Sequence, residues 1–322
     1  MSLEKRLVAP GQTKIIDVEL VRKLKVGLIG GTVDIIGHDE PGARIEVHGV
    51  TGKDLKISMD GDRLEIDHPQ LRWDNFIEVF ASFRGTARAE VSLSVPRDVA
   101  LRFGVVTADA LVSGLRNDAK LSTVSGDIVI DDVQGDLDLN AVNGEISVRN
   151  HVGALSVHTV SGDITASGSI RQFTLDGVSS NVFLDLAGSP DQIVTNTVSG
   201  NFTVRLEPRV AARYHLNTLS GTLQLDDHTV RTAFGKGYEG STGALDGSWL
   251  DVRSNSVSGD ISVVRSETVG AEPTGTASTG TASTGTASTG TASTGTASTS
   301  AASTSAADAA PPASPDTRQD PA

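Results

Sequence analysis

The chain has 322 residues, a net charge of −13 and no cysteine. That excludes disulfides and thiolate metal sites, and it argues against nucleic acid, because gripping a phosphate backbone takes clustered Lys and Arg. No run reaches the roughly 20 apolar residues of a membrane span, and the opening MSLEKRLVAPGQTK lacks the apolar stretch of a secretory signal, so the expected location is cytoplasmic, with a surface-exposed protein as the alternative.

Residues 1–13 read as an N-terminal extension and 14–104 as a β-strand region or cap. Alternating apolar and polar residues at 44–50, 55–59, 63–67 and 90–95 predict half-buried strands, separated by turn signals such as Asp60-Gly61-Asp62. The pattern predicts an antiparallel sheet, continuous with the residues beyond 104 or capping them. One segment, 71–84, breaks it by holding Trp73, Phe76, Phe80 and Phe83. Phe76, Phe80 and Phe83 sit at helical spacing and Arg72, Arg84 and Arg88 flank them. This reads as an amphipathic cap over the sheet end. The sharper alternative is a docking face for a protein partner or a membrane surface.

From residue 105 to 266 the chain keeps a nine-residue beat. Glycines fall at Gly126, Gly135, Gly144, Gly153 and Gly162, all but Gly153 in a unit apolar-x-Gly-acid-apolar-x-apolar. Two units make a stronger repeat of eighteen: Thr-Val-Ser-Gly-Asp-Ile at 123–128 returns at 141–146 as Ala-Val-Asn-Gly-Glu-Ile and at 159–164 unchanged. Looser copies start at 177, 197, 218 and 256, the last after a gap of 38 residues whose Gly235–Gly247 part reads as a loop thrown out of the stack. A short fixed period with alternating apolar slots predicts an all-β fold, a parallel β-helix-like solenoid of 18-residue coils, with the apolar slots filling a continuous core.

Three features compete for a functional reading. Asp127, Glu145 and Asp163 occupy equivalent slots in successive coils, a weak calcium candidate set against a solvated acidic edge, since calcium-binding nonapeptide rolls carry several glycines per unit and these units carry one. The polar slot before them, from Ser125 to Ser258, reads as hydrogen bonding at the bends, without a Gly-x-Ser-x-Gly elbow to support a nucleophile. The seven histidines are scattered, with no His-x-His or His-x-x-x-His pair. No catalytic residue, cofactor or small-molecule ligand is predicted.

Beyond Glu267 the composition collapses to Gly, Thr, Ala and Ser, which cannot bury apolar surface, so 267–322 is predicted to be a disordered tail, or a stalk. With the Thr-Val-Ser-Gly-Asp-Ile units at 123 and 159, the Ser-Val-Ser-Gly-Asp-Ile unit at 256, and Val26-Gly-Leu-Ile-Gly-Gly-Thr-Val-Asp-Ile-Ile-Gly37, the chain resembles the bacterial adhesin-like β-strand-repeat family, of the actinobacterial type without a signal peptide. The resemblance covers about residues 14–265. It implies a β-helix-like fold and no known catalytic residues. The expected function is a non-catalytic scaffold that binds protein partners or self-associates. A surface adhesin on a flexible stalk is the alternative, and a polysaccharide-acting β-helix enzyme a third reading.

Overall fold

The computed structural model describes residues 4–68, 87–226, 228–230 and 237–266. Among them are 22 β-strands and no helix. The nine-residue unit becomes one side of a two-sided coil. In Ile128–Asp131 the side chains of Ile128 and Ile130 are buried while Val129 and Asp131 face outward, as strand alternation requires. Ile128 stands in register with Ile146, Ile146 with Ile164 and Ile164 with Val182, all in parallel pairing. On the other side Leu121, Leu139, Val157 and Leu175 form the matching column. Both columns belong to one continuous hydrophobic core, so each coil buries its apolar face only by lying between neighbours.

The bends explain the glycines. Gly162 has φ +128°, and a Cβ there would lie 2.0 Å from the carbonyl oxygen of Gly144 in the next coil. A side chain is excluded both by backbone conformation and by the approach of the neighbouring strand. Gly126, Gly144, Gly200 and Gly259 meet the coil beside them in the same way.

In the N-terminal region the expected strands at 44–50 and 90–95, and at 55–59 and 63–67, pair antiparallel, but Lys23–His38 departs from an antiparallel sheet. Strand Lys23–His38 is itself a solenoid coil, parallel along its length to Ala100–Ser113, and the latter strand runs straight through position 104. On its other side Lys23–His38 pairs, still parallel, with Arg63–Asp67 and Arg88–Pro96. Only then do antiparallel strands close the stack: Leu55–Asp60 and Glu4–Val8 on one side, Ala43–Thr51 and Lys14–Val18 on the other.

The last coils are threaded out of sequence order. Gln192–Ser199 does not meet Ala212–Ser220; the strand Leu250–Ser258 lies between them and is parallel to both. On the opposite side Ile261–Arg265 separates Phe202–Leu206 from Leu223–Leu225. The intervening residues are not simply a loop. Tyr238–Thr242 and His228–Val230 pair antiparallel to the outermost coil.

A buried polar pair accounts for the threading. Thr195 and Ser254 occupy core slots, both buried, and the Thr195 hydroxyl donates to Ser254 Oγ at 2.7 Å. Direct stacking of Ala212–Ser220 on Gln192–Ser199 would set Leu216 in the Ser254 position and orphan the Thr195 hydroxyl. Arg265 completes the lock on the outer coil: it pairs with Asp226 and donates through Nη2 to Tyr214 Oη at 3.0 Å and the Val210 carbonyl at 3.3 Å.

Candidate functional site

Each Thr-Val-Ser-Gly-Asp-Ile unit turns one corner of the solenoid, and its residues form rows along the stack. The acidic row has a structural task. The carboxylate of Asp127 accepts the backbone N–H of Glu145 at 2.9 Å, and Asp109 accepts that of Asp127 at 3.0 Å. Further along, Asn181 accepts from Asn201, Asn201 from Asp260, and Asp260 from Thr222, at 2.7–3.1 Å. Asp163 accepts from the Asn181 side-chain amide. The opposite corner repeats the device with Asp118 and Asp136. The side-chain oxygen satisfies a bend N–H that the strand ladder does not, and an amide performs this as well as a carboxylate. That is why Asp and Asn interchange in the slot. Among the described residues no group of three His, Asp or Glu side chains is placed to hold a metal.

The serine row bonds through backbone. Ser180 N–H donates to the Ser199 carbonyl, Gly200 N–H to that of Ser258, and Gly259 N–H to that of Ser220.

Sequence reasoning assigned the valine of the unit to the core, and the structure corrects this. Val142, Val160, Val178, Val198, Val257 and Leu219 point outward, each between 40% and 50% exposed. They follow one another along the stack in that order, the threaded coil contributing Val257 between Val198 and Leu219. Next to this stripe runs an amide row. Asn196 Nδ2 donates to Asp176, Asn255 Nδ2 to Asn196, and Asn217 Nδ2 to Asn255, at 2.9–3.0 Å. Between stripe and row lies a shallow groove of about 460 Å³, lined by Val178, Val198 and Val257 on one wall and Asp176, Asn196 and Asn255 on the other. Strand alternation sets this direction: counted from the core residues Leu139 and Val157, Ala141 and Thr159 point inward and Val142 and Val160 outward, a signal the small residue before each valine already carried.

Toward the N-terminal end the same column is covered. Ile29, Val106 and Val124 are buried in a small cluster with Ala87, apart from the main core. Beside it His68 is fully buried and accepts the Ile29 N–H on Nδ1 at 3.3 Å, so the proton sits on Nε2. Burial, with Lys53 adding, lowers its pKa from 6.5 to about 4. The other buried histidine, His151, faces two carbonyls, Val133 O at 2.8 Å from Nδ1 and Ala154 O at 3.2 Å from Nε2. Burial lowers its pKa too, against those two bonds; the neutral ring serves one carbonyl at a time. His158 lies within 3.4 Å of Asp176 on the outer surface, away from His151. The sequence-predicted partner residues Trp73, Phe76, Phe80 and Phe83 lie outside the described residues.

A two-sided parallel stack with glycine bends, ladder-bonded corners and antiparallel end strands defines a capped β-solenoid. Residues 113–192 match the family described as Toastrack DUF4097. Solved structures similar to it include a candidate cell adhesion protein from Clostridium sporogenes, 13% identical with TM-score 0.28, covering 82% of this chain and 100% of that one. A candidate adhesin from Bacteroides fragilis is 10% identical with TM-score 0.41, covering 79% and 98%. A candidate lipid binding protein from Parabacteroides distasonis is 10% identical with TM-score 0.39, covering 80% and 98%. No curated protein matches the chain.

Proposed function

We propose that the chain is a non-catalytic solenoid scaffold that offers a long, regular surface to protein partners or to itself. The observation that carries this reading is the half-exposed aliphatic stripe with its amide row, repeated coil after coil on a rigid stack. The reading is supported by Asp109 and Asp127, whose carboxylates accept bend N–H groups of the neighbouring coils. Two measurements test the proposal. Hydrolysis of acidic glycans that disappears with Asp127→Asn and Asp163→Asn would overturn the non-catalytic role. Protease shaving of intact cells carrying the untagged protein separates an internal scaffold, which stays protected, from an outward-facing adhesin, which is digested.

A further inference from the structure

We infer that the aliphatic stripe at the Thr-Val-Ser-Gly-Asp-Ile corner is the contact through which two copies of this chain pair side by side. The inference rests on the scaffold reading and names its partner. Val142, Val160, Val178, Val198, Val257 and Leu219 stand one per coil at about 4.8 Å, a straight row about 24 Å long. The same column is already an interface within the molecule at its other end, where Ile29, Val106 and Val124 are covered with Ala87. The uncovered part continues that contact.

The period selects the occupant. An aliphatic row repeating at the strand spacing is matched, knob for gap, by a surface of equal repeat, and a second copy brings one. The chain's own C-terminal stretch does not serve: residues 267–322 hold no Leu, Ile, Met or aromatic residue, and Val269 is their one valine. The groove is shallow and open, which suits a macromolecular face better than an enclosed small molecule.

Charge and area agree. With the copies antiparallel about a two-fold axis between Val198 and Val257, Val178 meets Leu219 of the second copy and Val198 meets its Val257. In these coils the flanking rows are largely amides, Asn181 and Asn201 on one side and Asn196, Asn255 and Asn217 on the other. The two carboxylates present, Asp176 and Asp260, are placed on coils 178 and 257, so the two-fold brings neither against its own copy. In this pairing four of the six stripe residues, Val178, Val198, Val257 and Leu219, meet their counterparts, and with the Ser and amide rows on either side they make a contact at the low end of interface sizes, in keeping with a reversible dimer.

The test uses the full chain and its lack of cysteine. Sedimentation velocity through the micromolar range is expected to show a monomer–dimer equilibrium, weakened roughly tenfold or more by Val198→Asp with unchanged strand content by circular dichroism. Val198→Cys protein mixed with Val257→Cys protein is expected to cross-link on mild oxidation, while Phe183→Cys, also on the surface but outside the stripe, does not. A native chain that stays monomeric, a dimer indifferent to Val198→Asp, or equal cross-linking at Val198 and Phe183 would each overturn the pairing. None of these touches the scaffold reading, which falls instead on glycan hydrolysis.

Discussion

Thr195→Val tests the account of the threaded coil. Thr195 and Ser254 are 1% and 2% exposed and share one hydrogen bond at 2.7 Å. Valine keeps the shape of threonine but leaves Ser254 Oγ without its partner in the core. An orphaned buried hydroxyl costs about 1–3 kcal/mol, so Thr195→Val is expected to lower stability by about that amount despite being more apolar. Ser254→Ala orphans the Thr195 hydroxyl and opens a small void, with a similar cost. The double variant removes both hydroxyls, and its penalty should fall short of the sum of the two singles by about 1–2 kcal/mol. The assay is urea denaturation of all four proteins, comparing midpoints at constant m. Strict additivity, or a Thr195→Val chain as stable as the native one, would refute the idea that this pair specifies which coil sits on Gln192–Ser199.

Three further outcomes concern the bends and the buried histidine. Gly162→Ala should destabilise by about 2–3 kcal/mol or more, the scale of a strained backbone position, because its Cβ is placed 2.0 Å from a carbonyl oxygen; thermal unfolding reads this, with Gly61→Ala, where a Cβ meets nothing within 4 Å, as the milder comparison. Asp127→Asn should leave the melting temperature near native while Asp127→Ala lowers it, and calcium should change neither, since the slot needs an acceptor for the Glu145 N–H rather than a charge; a calcium-dependent rise in melting temperature would contradict this. His68 has a folded pKa of about 4 against 6.5 unfolded, so the unfolded chain binds the extra proton. Its contribution is fully present above pH 6.5, declines as pH falls toward 4 by up to ~3 kcal/mol, and is flat below that. Stability measured from pH 7 to 4 should therefore slope less in His68→Leu than in the native chain.

The parallel stack was legible because its cause is periodic: a fixed register and alternating burial repeat in the sequence as they repeat in space. The acidic row was equally legible as a row. Its role was not, because a carboxylate that accepts a bend N–H and one that binds a cation look alike in a string of letters. The threading left a trace that only a core slot reveals. Thr195-Asn-Thr-Val-Ser-Gly200 resembles Ser254-Asn-Ser-Val-Ser-Gly259 more than Leu216-Asn-Thr-Leu-Ser-Gly221, and the two small hydroxyls fall where Leu139, Val157 and Leu175 stand in other coils. Lys23–His38 escaped the repeat because its neighbour in the stack, Ala100–Ser113, comes after it only once the outer strands have intervened.

The two ends of the solenoid close differently. At one end the edge strands are Glu4–Val8 and Lys14–Val18, antiparallel strands laid over the coil Lys23–His38 and its partners. At the other, Leu250–Arg265 lies one layer in, under Ala212–Leu225; placed outermost, it would leave half its backbone groups unpaired and its core side chains bare. A tucked coil is paired on both sides and cannot peel away without opening a neighbour. Arg265 makes that coupling explicit by joining the inner coil to Asp226 and Tyr214 of the outer one. The arrangement carries a kinetic cost, because the outer coils must await segments far away in sequence before they have anything to pack on. What it secures is a stack whose middle coils, the ones bearing the aliphatic stripe, are held rigid from both sides.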